Sequence, residues 1–321
     1  MRGSAARPAI AARDPSRGSL RTMWSRWLVL SAALLFSTGG VAIKSTAFGA
    51  WQTAGFRSAV AAFVLYALLP QARRLRDARA WLVGIAYALT LVFFVQANKL
   101  TTAANTIFLQ STAPAYLLIL GPLLLHEKPR RRDLLVAAAL AAGMALFLTG
   151  AEQSASTAPN PRAGNLWAAA SGLTYAFALA GLRWQARYSG HSAAALSTIT
   201  AGNLLAALFC LPFAVPVGSA RPFDWAVILY LGVFQIGLAY WCLTRGMREV
   251  PAFEASILLL AEPVLNPLWT WLLLDEKPGP QALAGGAVIL AATLWKALSE
   301  RQTTAADVAE LTRHSSGDSQ A

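Results

Sequence analysis

The sequence predicts an all-α integral membrane protein of ten transmembrane helices, arranged as two inverted five-helix repeats. Three observations carry this reading. Apolar runs of roughly 18 to 24 residues recur along almost the whole chain, each long enough to cross a bilayer. Charge is scarce inside those runs and gathers in the short stretches between them. The first half of the chain overlays the second at a single fixed offset.

Of the 321 residues, 56% are hydrophobic and only 13% are charged, and the mean hydropathy is +0.48. A soluble domain carries about 25% charged residues. The deficit follows if most of the chain lies in hydrocarbon, where charge is costly. The predicted spans are 27–46, 53–70, 80–98, 102–125, 133–150, 164–183, 193–216, 224–244, 252–274 and 279–298. They are continuously apolar and rich in Ala and Leu, whereas membrane strands would alternate. A helix also pairs its backbone groups within one segment, as hydrocarbon requires. Residues 1–22 have no apolar period and are expected to form a disordered cytoplasmic tail, as is the polar segment 299–321. Arg21 and Arg26 before an apolar stretch imitate a signal peptide. The stretch continues past Gly39 and Gly40 and further spans follow, so an uncleaved first helix is expected.

The net charge of +12 does not point to nucleic acid, because the basic residues sit between apolar runs rather than on one soluble face. They read as topology signals and contacts for anionic lipid headgroups. With the N-terminus in the cytoplasm, 21 of the 27 Lys and Arg residues fall on the cytoplasmic side. The opposite side holds only Lys44, Arg57, Lys99, Arg162, Arg221 and Lys277, which places both termini inside. Cys210 and Cys242 lie inside apolar runs, and His126, His191 and His314 are far apart, so no metal-binding spacing is present. There is no Gly-rich phosphate loop ending in Gly-Lys-Ser or Gly-Lys-Thr to couple ATP, and no nucleophile elbow. An enzyme is disfavoured and no cofactor is expected.

A shift of 149 residues places Leu123-Leu124-Leu125-His126-Glu127-Lys128-Pro129 on Leu272-Leu273-Leu274-Asp275-Glu276-Lys277-Pro278. The same shift places Pro114 on Pro263 and Ala103 on Ala252. Each half thus has a long helix with a central proline, a Glu-Lys-Pro exit and a final helix. Five spans per half is an odd number, so the second copy must lie upside down, a design used for alternating access.

These features resemble the EamA-type transporters of the drug/metabolite transporter superfamily, over roughly residues 27–298, with repeats at 27–150 and 164–298. The Trp51-Gln52 to Arg57 stretch and Glu262-Pro263 are similar to the family, while His126-Glu127 and Asp275-Glu276 depart from its usual Gly-Glu. The resemblance implies a bacterial inner-membrane protein with cytoplasmic termini, working as a monomer or homodimer. It also implies efflux of amino acids or related small metabolites, without naming a substrate. An importer or facilitator of the same architecture, and a non-transporting receptor or assembly protein, stay open.

Glu262 is the sharpest candidate, mid-helix and one residue before Pro263, and its repeat equivalent is Ala113. A carboxyl group in hydrocarbon resists ionisation, so it can exchange a proton or pair with a substrate ammonium group. The alternative is a structural acid bonded to a neighbouring helix. Pro114 and Pro263 each remove a backbone donor and loosen their helix. Gln96, Asn105, Gln110, Tyr116, Gln235 and Tyr240 place polar groups at depth, with Tyr175 and Trp269 as further wall candidates. Each could bind substrate or simply bond another helix. Glu254 is expected to complement a helix dipole, and Lys44 and Arg57 to snorkel to the interface, with an outward gate as the alternative. Glu127 and Glu276 are expected to close their helix exits. Close packing is the expected role of Gly39-Gly40 and Gly285-Gly286.

Overall fold

The computed structural model describes residues 15–125, 131–149, 155–189, 191–218 and 220–317. His126, Glu127, Lys128 and Pro129, half of the predicted Glu-Lys-Pro pair, lie outside the described residues. Among the described residues every element is helical, apart from an isolated backbone bridge between Ala155 and Ala158. In chain order the helices are α1 (Pro15–Ser37), α2 (Gly39–Ser45), α3 (Ala50–Leu68), α4 (Ala78–Leu100), α5 (Ala103–Gln110), α6 (Ala113–Leu120) and α7 (Arg131–Thr149). They continue as α8 (Pro161–Ser189), α9 (His191–Ala214), α10 (Pro222–Tyr230), α11 (Ala239–Gly246), α12 (Ala252–Leu259), α13 (Ala261–Leu274) and α14 (Pro280–Gly317). A π-helical stretch, Leu231–Leu238, joins α10 to α11.

Seven helices among the described residues are long and apolar enough to cross a membrane. They are Met23–Ser45, Ala78–Leu100, Ala103–Leu124, Ala195–Ala214, Pro222–Gly246, Glu254–Leu274 and Pro280–Ser299. Helices α3, α7 and α8 occupy three further predicted spans but fall outside that set. Their polar residues account for it. α7 opens on Arg131, Arg132 and Asp133, while α3 and α8 bury Arg57, Asn165 and Ser171 against their neighbours.

α1 starts at Pro15 and α14 runs on to Gly317, into the segments expected to be disordered. The Ala-, Glu- and Leu-containing stretch from Thr303 to Leu311 extends a helix that already exists, so it bears no nucleation cost.

The bundle is polar and small-residue-rich within and apolar without. Leu82, Ile85, Leu134, Leu135, Leu208 and Leu283 are exposed, while Ala61, Ala168, Ala176 and Ala201 are buried. Small residues let helix backbones approach where there is no water to drive association. α7 and α14 meet this way: a Cβ on Gly285 would stand 2.9 Å from the Gly143 carbonyl oxygen. Close packing is therefore the role of Gly285, as the sequence suggested.

The repeat is visible in backbone detail. α5 covers 103–110 and ends at Ser111, and α12 covers 252–259 and ends at Leu260. The 149-residue offset relates both pairs of bounds. Pro114 and Pro263 lack an N–H, so the carbonyls of Gln110 and Leu259 lose their intrahelical partner. The helix breaks one turn before each proline.

One end of the bundle is closed by a buried polar network. Lys44 Nζ pairs with Glu276 Oε2 at 2.9 Å, with both side chains under 5% exposed. The ammonium also donates to the Thr101 carbonyl at 2.7 Å and to that of Thr157. Glu276 Oε1 accepts from Ala103 N at 2.7 Å, placing a carboxylate at the positive N-terminus of α5. Beside it, Asp224 accepts from Ala47 N at 2.7 Å, from Thr46 Oγ1 and from Arg221. Lys99 Nζ donates to the Thr46 carbonyl at 2.7 Å. Snorkelling is thus not what Lys44 does, and Glu276 does more than close its own helix: it staples α13 to the other repeat. At the opposite end Arg26 on α1 pairs with Glu254 in the first turn of α12, and both stay partly solvated. Glu254 therefore serves an interhelical pair as well as its helix dipole.

Removing one member of a buried pair leaves the other charge uncompensated. Glu276→Gln should cost about 3–5 kcal/mol, read as a lower thermal unfolding midpoint in detergent. Lys44→Met combined with Glu276→Leu should recover part of that loss. A single variant that melts with the wild type would show that the pair does not hold this end.

Candidate substrate-binding site

The helix breaks converge on a cavity of about 270 Å³. From the first repeat, Gln110 and Ser111 line it at the α5–α6 break. From the second, Leu259, Glu262 and Pro263 line it at the α12–α13 break. The remaining wall comes from Phe36 on α1, Arg57 on α3, Tyr87 and Thr90 on α4, Tyr175 on α8, and Gln235 and Tyr240 beyond α10.

The polar groups here are positioned by short chains of hydrogen bonds. Gln110 Nε2 donates to Ser171 Oγ at 2.8 Å, and Ser171 Oγ donates to the Thr90 carbonyl at 3.2 Å. The Tyr87 and Tyr240 hydroxyls lie 2.9 Å apart, and Tyr240 meets Phe36 edge to face at 5.0 Å. Gln235 Oε1 is buried without a hydrogen-bond partner. Glu262 has no ion-pair partner among the described residues. A carboxylate and an amide oxygen therefore stand open to whatever occupies the cavity.

The structure brings together Glu262, Gln110, Tyr175, Gln235, Tyr240 and Pro263 of the residues singled out from sequence. It places the others elsewhere. Asn105 Nδ2 donates to Asn165 Oδ1 at 2.9 Å. Tyr116 donates to the Met144 sulfur at 3.3 Å. Trp269 Nε1 donates to Ser37 Oγ at 2.9 Å, and Gln96 is buried outside the cavity wall. Pro114 stands at the start of α6 behind the break that Gln110 and Ser111 present. Tyr87, Thr90 and Ser111 were not singled out, and nothing in the sequence separates them from polar residues that only bond another helix.

Arg57 is the main correction. It is 2% exposed and lines the cavity instead of snorkelling. The predicted span began at residue 53, which put Arg57 near a helix end. α3 in fact begins at Ala50, where Gly49 N donates to the Gln52 Oε1 at 3.1 Å and starts the helix early. Arg57 then lies about 10 Å along the helix axis from that end, with its side chain buried at the cavity.

Gly40 shows how tightly the cavity's neighbours are held. Asn266 is buried against it, with neither side-chain amide atom hydrogen-bonded. A Cβ on Gly40 would collide with Asn266 Oδ1 and stand 3.0 Å from the Ala103 methyl.

Models of the EamA-like transporter family match residues 23–149 and 162–296. The chain belongs to this family. Its two matched segments are the two repeats seen in the helix breaks, and membership makes the chain a multi-pass membrane transporter rather than an enzyme. An uncharacterized transporter of Bacillus subtilis (strain 168), YetK, is 28% identical over 231 residues, covering 70% of this chain and 68% of that protein. An uncharacterized transporter of Archaeoglobus fulgidus is 29% identical over 215 residues, covering 66% of this chain and 74% of that protein. A solved crystal structure of another protein superposes with a TM-score of 0.57 at 21% identity, over 87% of this chain and 98% of that one. At that identity the likeness is one of fold.

In this EamA-like chain, Gly40→Ala should destabilise by about 1–3 kcal/mol. Gly218→Ala, where an added Cβ meets nothing within 4 Å, should melt near the wild type. Combining Gly40→Ala with Asn266→Ala should restore stability. Failure of that rescue would mean that the collision with Asn266 is not the cause.

Proposed function

We propose that the protein is a secondary exporter of amino acids or related small metabolites, working by alternating access in a bacterial inner membrane. Ten spans in two inverted five-helix repeats, with both termini cytoplasmic, are the topology that goes with this reading. The asymmetry of Lys and Arg between the two sides supports that orientation. On this topology the Lys44–Glu276 end faces outward.

The observation that carries the proposal is the meeting of two repeat-related helix breaks at one cavity that also holds Glu262. Broken helices at a repeat interface put backbone and side-chain polar groups where substrate can reach them. The cavity is near the small end of ligand sites, which run from about 300 to 1,000 Å³, and so suits a molecule the size of an amino acid. With no ion-pair partner among the described residues, Glu262 is suited to carry a proton in exchange for substrate or to hold a substrate ammonium group. The buried outward network and the partly solvated Arg26–Glu254 pair give the two ends different strengths of closure, as a carrier that opens to one side at a time requires.

Counterflow in proteoliposomes tests the proposal, with a panel of radiolabelled amino acids, purines and small amines. The wild type should show saturable exchange of at least one amino acid. Glu262→Gln should lose accumulation driven by a proton gradient, and exchange retained beside that loss would assign Glu262 to coupling. Loss of both activities in a folded variant would instead assign Glu262 to substrate binding. No exchange of any compound by folded wild-type protein would overturn the proposed substrate class.

A further inference from the structure

The buried guanidinium of Arg57 has no obvious structural employment. A charge in the middle of a membrane bundle is costly unless it is paired. Among the described residues Arg57 has no carboxylate within ion-pair distance, although Glu262 lines the same cavity. Its one hydrogen bond runs from Nη2 to the Leu91 carbonyl at 3.2 Å, and Nε is buried without a partner. A guanidinium carries five N–H donors in a planar fork. Most of that donor capacity is therefore unspent, on a side chain 2% exposed that forms part of the cavity wall.

Two plain alternatives fit less well. Snorkelling would require the head group to reach the surface, whereas the side chain is 2% exposed. A purely structural helix–helix contact to the Leu91 carbonyl needs one donor, which an uncharged side chain could supply without the cost of burying a cation. A positive fork with spare donors on the cavity wall matches the geometry of an oxyanion, which a carboxylate presents as two parallel acceptors.

We propose that Arg57 is the residue that selects for an acidic oxyanion on the transported molecule, holding a substrate carboxylate through its free donors. The inference rests on the transport reading and sharpens it. Glu262 and Arg57 bring opposite charges to one cavity without pairing to each other, so the cavity presents complementary ends to a zwitterion. Tyr87, Tyr175 and Tyr240 line the same cavity. Molecules with an amino group but no acid group lose the Arg57 contact and leave its charge unanswered.

The test compares matched compounds before it relies on any variant. Reconstituted wild-type protein is assayed by counterflow with the standard amino acids, their carboxamides and the corresponding decarboxylated amines. Each exchanged acid should have a half-saturation concentration about 10- to 100-fold lower than its carboxamide, the range of a hydrogen bond to a charged group. Arg57→Gln should abolish that difference by weakening the acid and sparing the carboxamide. Arg57→Lys, which keeps the charge and loses the fork, should fall between. Size-exclusion profile and unfolding midpoint establish that each variant is folded, and if Arg57→Gln does not fold, the wild-type comparison and Arg57→Lys decide. Wild-type exchange of carboxamides or amines as good as that of acids would leave transport standing and overturn the role of Arg57. An acid preference that survives unchanged in either folded variant would overturn it too. Absence of exchange for every compound would overturn this inference together with the amino-acid reading on which it rests.

Discussion

Hydrocarbon offers no hydrogen bonds, so each polar group in this bundle must find a partner inside the protein or face a space that water or substrate can enter. The structure follows from that constraint. Lys44 and Glu276 meet it by satisfying each other, with the Thr101 and Thr157 carbonyls and the α5 N-terminus taking up what remains. Asn105 and Asn165 meet it by pairing across α5 and α8. Arg57, Glu262 and Gln235 do not meet it internally, and all three line the cavity. On the cavity wall Arg57 and Gln235 keep buried polar atoms without hydrogen-bond partners, and Glu262 has no ion-pair partner among the described residues, which is the physical ground for treating that space as the working part of the molecule.

The helix breaks obey the same constraint. A proline frees a carbonyl one turn back, and a freed carbonyl is tolerable at membrane depth only inside protein or beside a cavity. Pro263 stands beside the cavity directly, and Pro114 through Gln110 and Ser111 just before it. The duplication thus brings two intrinsically weak points of the backbone to one place. Hinges are built from a few residues at element ends that can absorb a change in backbone angle, and the two breaks have that character. The ends of the bundle are closed unequally. The ion pair of Lys44 and Glu276 is buried, whereas Arg26 and Glu254 form a pair in partial contact with solvent, where ion pairs contribute little.

Much of the fold was legible in the chain. Hydropathy, the 149-residue offset and the two prolines determined a helical membrane protein of two repeats, because each is a local property that hydrocarbon reads segment by segment. The same locality marked Glu262, since an acid inside an apolar run stands out wherever it falls. Sequence alone did not set the ends of helices. The start of α3 depends on Gly49 and Gln52, and it puts Arg57 further into the helix than the predicted span did.

Partnership between distant residues was decided only in three dimensions. Lys44 and Glu276 are 232 positions apart, and nothing in either segment announces the other. Asn105, Gln110 and Gln235 look alike as isolated polar residues in apolar runs, yet the first is consumed by Asn165 while the other two reach the cavity. Composition and periodicity determined which residues must be buried in this chain. Whether a buried polar group is satisfied or left open depends on which helix faces it, and that is a property of the packed bundle, because hydrogen bonds act over about 3 Å in space without regard to separation along the chain.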